Sequence, residues 1–226
     1  MNRPFDEELR DMRKTLLHMA AQVEESIVLS VRSLKERRED LAREVLRNED
    51  LINRFDLDVD EIGMRLLALR QPMAADLRFI TSAMKIASDL ERIGDLAVNI
   101  VEQSLVLITS PPLKPLIDIP EMARLAQGMV KDALHAFVDK DEALARAVCE
   151  RDDAVDHLNE QVFRELLTYM MGDRDTIPRA MGLLLVSRQL ERMADHATNI
   201  AEDVIYMVSG RIIKHRSDQE SKEPVS

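Results

Sequence analysis

The chain has no tryptophan, and aromatics are only 3% of its 226 residues. Glycine occurs six times. With aromatics and glycine so few, Leu, Ala, Glu, Arg and Met dominate, which is a helical composition. There is one cysteine, Cys149, so no intrachain disulfide forms and thiol metal clusters are excluded. Among Ala147, Val148 and Glu150 it is expected to be a packed thiol. No apolar run approaches 18 residues, and the first ten residues, MNRPFDEELR, hold no apolar signal region. The expectation is a cytoplasmic protein without direct membrane insertion. Basic charge is also short: net charge is −11, and no basic stretch interleaved with aromatics occurs, which argues against nucleic-acid binding. That balance suits cations or basic protein surfaces.

What is present is a repeat. Residues 90–103 read LERIGDLAVNIVEQ, and residues 190–203 read LERMADHATNIAED. Eight of the fourteen positions are identical, and most of what is shared is polar. A repeat kept for packing alone would share its apolar positions first. On a helical wheel at about 100° per residue, with Glu91 at zero, Asp95 falls at about 40°, Asn99 at about 80° and Glu102 at about 20°. Ile93, Ala97, Ile100 and Val101 take the opposite face. Glu191, Asp195, Asn199 and Glu202 repeat the polar line. A single Glu-x-x-x-Asp is an ordinary solvated face. Solvated faces usually mix Lys with Glu, whereas Arg92 is the one basic residue between Leu90 and Gln103. Like charges one turn apart destabilise a helix by a few tenths of a kcal/mol, so a duplicated acidic line asks for a cation.

Taken in order, apolar spacing predicts a first helix over 5–36, with Leu9, Met12, Leu16, Met19, Val23, Ile27, Val31 and Leu34 inward. His18 at the edge of that stripe is expected to be structural. A second helix over 41–69 would bury Val45, Leu51, Ile52, Phe55, Val59, Ile62, Leu66 and Leu69. A third spans 74–108 and carries the first acidic line. Residues 109–120 hold four of the eight prolines and make the one clear linker. A fourth helix reaches to about residue 138, with Asp118 as its cap and Pro120 just inside. A fifth is expected to run unbroken over 142–170. Thr176 should cap a sixth, with Pro178 in its first turn, ending at Gly210. The predicted units are 1–110, a linker 111–118, 119–210 and a frayed tail 211–226.

A second acidic line also recurs. Glu49-Asp50-x-x-Asn53-x-x-Asp56 matches Asp152-Asp153-x-x-Asp156-x-x-Asn159 with acid and amide exchanged. Each half thus has two helices with oxygen-bearing lines that an antiparallel bundle can set side by side. Such oxygens are hard ligands suited to Mg²⁺, Mn²⁺ or Fe ions. His157 and His196 add nitrogens that would favour Fe or Zn, though each alone is an ordinary surface residue.

On the two Glu-x-x-x-Asp copies and the stretch LLALRQPMAADLRFITSAMKIASDLERIGD (66–95), the chain resembles the PhoU family of bacterial phosphate-signalling regulators over nearly its whole length. The resemblance implies an all-α fold of two tandem antiparallel three-helix bundles related by pseudo-twofold symmetry. It implies a multinuclear metal cluster (Fe, Zn, Mg or Mn) at Glu91, Asp95, Glu191 and Asp195, with Glu49, Asn53, Asp152 and Asp156 on the facing helices. Asn53 and Asn159 stand where the family often has Asp, which weakens the charge there. It implies contact with the phosphate ABC importer, through its ATPase subunit, and with the phosphate-sensing histidine kinase, turning down uptake and pho-regulon signalling when phosphate is ample. A homodimer is one arrangement open to the chain. Asp76 and Arg78 have no counterpart in the second half and are candidates for a partner surface; the alternative for Asp76 is a helix start. Two other readings remain at this point. One is a metal-free helical adaptor. The other is a carboxylate di-iron oxidase, which needs Glu-x-x-His pairs; none occurs, and Asp132-x-x-His135 is the one similar spacing. The chain is therefore expected not to be an enzyme.

Overall fold

The computed structural model describes residues 3–211, so the expected tail lies, from residue 212 on, outside the described residues. Among the described residues seven α-helices follow one another: α1 Arg3–Glu36, α2 Glu39–Arg70, α3 Ala74–Ile108, α4 Asp118–Asp139, α5 Glu142–Cys149, α6 Asp152–Gly172 and α7 Ile177–Ser209. A 3-10 turn, Arg174–Thr176, leads into α7. No strand occurs among the described residues. None of these helices is long and apolar enough to cross a membrane.

The apolar stripes do what their spacing predicts. Met12, Leu16, Met19, Val23 and Ile27 of α1 are fully buried, as are Ile93, Ala97, Ile100 and Val101 of α3. Leu51 and Leu69 are corrections: both were expected in the core and both are exposed, Leu69 to 70%. The buried α2 stripe is Leu41, Ala42, Val45, Ile52, Val59 and Leu66, with Phe55 and Ile62 half-buried at its edge.

α1, α2 and α3 pack on one another, and α4, α5, α6 and α7 do the same. These two antiparallel bundles are related by pseudo-twofold symmetry and join chiefly through α3 against α7, with α1 against α4 beside them. Early residues of α3 meet late residues of α7. Arg78 Nε donates to Met207 O at 3.2 Å, Ser82 Oγ donates to Asp203 O at 3.2 Å, and Lys85 Nζ lies 3.0 Å from Asp203. The helices approach closely at Gly182, where a Cβ would stand 2.9 Å from Leu107 Cδ2 and displace that side chain.

The expected fifth helix is broken. α5 ends at Cys149, Arg151 N donates to Val148 O at 3.0 Å in a tighter turn, and α6 starts at Asp152. Arg151 Nη2 ties the break to Asp132 of α4 at 2.7 Å. Two expected caps also differ. Asp118 is already inside α4 and makes no cap bond. Thr176 makes none either: its hydroxyl donates to Tyr169 O and Asp173 O, at 3.0 and 2.6 Å, and so closes the turn between α6 and α7. Side chains that do cap are Asp141, which accepts from Leu144 N at 3.0 Å at the start of α5, and Asp173, which accepts from Asp175 N at 2.9 Å at the 3-10 turn.

Candidate functional site

The polar face of α3 is set by the burial of its opposite face. Once Ile93, Ala97 and Ile100 are inward, Asp95, Asn99 and Glu102 must look outward, with Glu91 half-buried. α7 repeats this with Glu191 half-buried, Asp195 and Asn199 exposed and Glu202 half-buried. α2 lies against α3 closely enough that a Cβ on Gly94 would sit 3.1 Å from Ile52 Cδ1. That approach sets Glu49 and Asp56 beside the α3 line.

The electrostatics record the crowding. Glu49 is raised above the usual carboxylate value by burial first, then by Asp95, Asp50 and Glu102. Glu91 is raised by burial, then by Asp95 and Asp56. Asp56 is raised by burial and by Asp60. In the other bundle burial raises Glu191, reinforced by Asp195, and Asp156, reinforced by Asp195 and Asp153. Glu191 Oε2 is buried with no hydrogen-bond partner. A desolvated carboxylate beside like charges is held in an unfavourable state that a cation relieves.

Glu49 feels the charges of Asp95 and Glu102 and acts on Glu91, and Asp156 and Glu191 both feel Asp195, so these are the candidate residues within electrostatic reach of one another. Asn53 on α2, and Asn99 and Asn199 at the edges of their lines, are exposed. Asp152 stands at the start of α6 near Cys149, as does Glu202. Cys149 is half-buried, and burial with those two carboxylates pushes its thiol up to about 11, so it stays protonated as a packed thiol would. Among the described residues, no three Asp, Glu, His or Cys side chains converge closely enough to hold an ion as they stand. The donor chemistry fits a hard cation, and the side chains would have to close around it.

The histidines fall elsewhere. His196 donates from Nδ1 to Asp89 at 2.8 Å across the α3–α7 contact, which removes that nitrogen from the acidic line. His157 Nδ1 lies 2.5 Å from Asp153 O on its own helix. Arg78 is held by its own chain at the C-terminal end of α7, as a cation beside the last carbonyls should be. Asp76 sits half-buried in the first turn of α3 beside exposed Met73 and Leu77.

The description of the PhoU domain matches residues 16–104 and again 119–204. The chain is 42% identical over 216 residues to the phosphate-specific transport system accessory protein PhoU homolog of Aquifex aeolicus, covering 96% of this chain and 98% of that one. The chain belongs to the PhoU family. A PhoU homolog of Pseudomonas aeruginosa is 39% identical over the full chain and 93% of its own length. The crystal structure of PhoU from Pseudomonas aeruginosa superposes with a TM-score of 0.89, covering 92% of this chain and all of that one. The phosphate transport system regulatory protein PhoU from Streptococcus pneumoniae gives 0.86 at 27% identity, covering 93% of this chain and all of that one.

In this PhoU chain, wheel geometry found the lines on α3 and α7 but left Asp56 out of the candidate ligands. Its signal was available, since it ends the Glu49–Asp56 motif. The surroundings of Cys149 had no signal, because the break that turns α5 toward Glu202 is not written in local propensity.

Proposed function

We propose that this PhoU-family chain is a metal-binding, non-enzymatic regulator of phosphate transport. It would restrain uptake by contacting the ATPase subunit of a phosphate ABC importer, and restrain signalling by contacting a phosphate-sensing histidine kinase. The observation that carries the regulatory reading is 42% identity across 96% of the chain to a phosphate-specific transport system accessory protein. Two features support the finer parts. The acidic lines are duplicated, and in each bundle burial beside like charges raises one of their carboxyls, Glu91 and Glu191, which favours cations over a metal-free adaptor. Glu49, Glu91 and Asp95 would hold one load, and Asp156, Glu191 and Asp195 another; a bound cation would neutralise each group. Large apolar side chains also stand exposed at the α2–α3 end (Leu69, Met73, Leu77) and the α6–α7 end (Phe163, Met171, Met181). Exposed apolar patches rimmed by polar residues commonly meet protein partners.

A pull-down with the importer's ATPase subunit and with the kinase, at high and at low phosphate, tests the reading. Retention of both that changes with phosphate supports it. Retention of neither at either level rejects it.

A further inference from the structure

A cavity of about 330 Å³ opens where the linker crosses between the bundles. It has no part in the acidic lines. Its walls come from the end of α1, the end of α3, residues 111–116 and the start of α7. The apolar floor is Leu34, Leu107 and Leu183 with linker prolines and leucines. Its charged groups are Lys35, Arg37, Lys114 and Arg179, and no acidic side chain lines it. The chain as a whole carries a net charge of −11, so this concentration of cations is opposite in sign to the overall balance.

The four cations are not equally available. Lys114 is buried and already neutralised by Glu165, with Asp118 at 3.9 Å. Arg37 gives one nitrogen to Ile108 O and Ser110 O, and Arg179 gives one to Pro111 O, so both hold the linker in place. Each guanidinium has five donors, and these bonds leave several in hand. Lys35 is exposed and has no ion-pair partner among the described residues. The cavity thus has an apolar floor, with the charges of Lys35, Arg37 and Arg179 at its rim free of ion-pair partners among the described residues. Volumes of about 300–1,000 Å³, mostly apolar and with a few polar groups that fix orientation, are those of small-molecule sites.

We propose that this cavity binds a small amphipathic anion, a carboxylate carried on a short acyl or aromatic body. The body lies on Leu34, Leu107 and Leu183, and the head meets Lys35 and the free donors of Arg37 and Arg179. Because both bundles and the linker supply walls, occupancy braces the junction between them. The inference stands apart from the metal and phosphate readings.

Calorimetric titration of the full chain with octanoate tests it, with octanol and inorganic phosphate as the two halves of the chemistry. Octanoate should saturate one site, and each half alone should bind at least about tenfold more weakly, since a tenfold ratio needs only about 1.4 kcal/mol. Lys35→Glu should weaken octanoate by about tenfold or more with an unchanged melting temperature, because this exposed side chain holds nothing in the fold. Lys131→Glu makes the same charge reversal outside the cavity and should change affinity by no more than about twofold. Absence of octanoate binding overturns the proposal, as does octanol binding equally well. So does an equal loss in both lysine variants, which would mean general charge attraction with no site.

Discussion

Ile100 and Glu102 lie two residues apart on one helix, yet their surroundings set opposite rules for substitution. Ile100 is fully buried between bundle helices. Ile100→Ala should cost about 2–5 kcal/mol, from lost transfer energy and a residual cavity. Glu102 is exposed on the acidic line, so Glu102→Ala in chelator should cost under about 1 kcal/mol. Urea melts of both variants check this, and equal losses would contradict the assignment of faces. The half-buried acids add a pH dependence. Glu49, Glu91, Asp156 and Glu191 all have folded pKa values above their ordinary ones. Such groups contribute stability that is fully present below the unfolded pKa and is lost as pH rises through the folded pKa. Glu36, Asp40 and Glu121 are lowered by arginine partners and act in the opposite sense, losing their contribution only in stronger acid. The metal-free protein should therefore melt higher at about pH 5 than at about pH 7, and Glu91→Gln with Glu191→Gln should flatten that rise. A melting temperature in chelator that is no higher at about pH 5 than at about pH 7 would show that the carboxylates are not crowded.

At the scale of elements, α3 runs over the span its spacing predicts, Ala74–Ile108, because an apolar stripe of 3.6 periodicity and a proline before it define both face and start. The break between α5 and α6 was not legible. Glu150, Arg151 and Asp152 are ordinary helical residues, and the turn there is fixed by tertiary ties such as Arg151 to Asp132. The same limit applies to the sites. The acidic lines are local and could be read from a wheel. The closeness of α2 to α3 at Gly94, and the cavity whose walls come from four separate segments, exist only once the bundles pack. Caps show a third kind of miss: Asp118, Asp141 and Thr176 are all good cap residues, and geometry selects Asp141 alone. Asp141→Ala should therefore lower stability by about 0.5–2 kcal/mol. The same change at Asp118 should not show a cap's loss. Comparing their denaturant midpoints separates a used cap from an unused one.

For the whole molecule the question is whether two acidic lines on two bundles are two sites or one. α3 and α7 form the main contact between the bundles, through Arg78, Ser82, Lys85 and Asp89 meeting Met207, Asp203 and His196. None of these groups belongs to the lines proposed to bind metal, so each line can fill without disturbing that contact. Each charge in the metal-free state raises its neighbour's pKa, and a divalent or trivalent ion reverses the sign. Free metal should therefore raise the melting temperature with concentration. Glu191→Gln with Asp195→Asn keeps shape and hydrogen-bonding capacity while removing two charges. This double variant should lose the second bundle's metal and still melt no lower than wild type in chelator, since Glu191 Oε2 has no partner to lose. Glu91→Gln with Asp95→Asn should leave the second bundle loaded. Plasma emission of each purified protein decides. Unchanged metal in both variants means that the lines are only solvated faces. Loss of all metal in either one means that the bundles share a single cluster, and the two-site arrangement is then the part that fails.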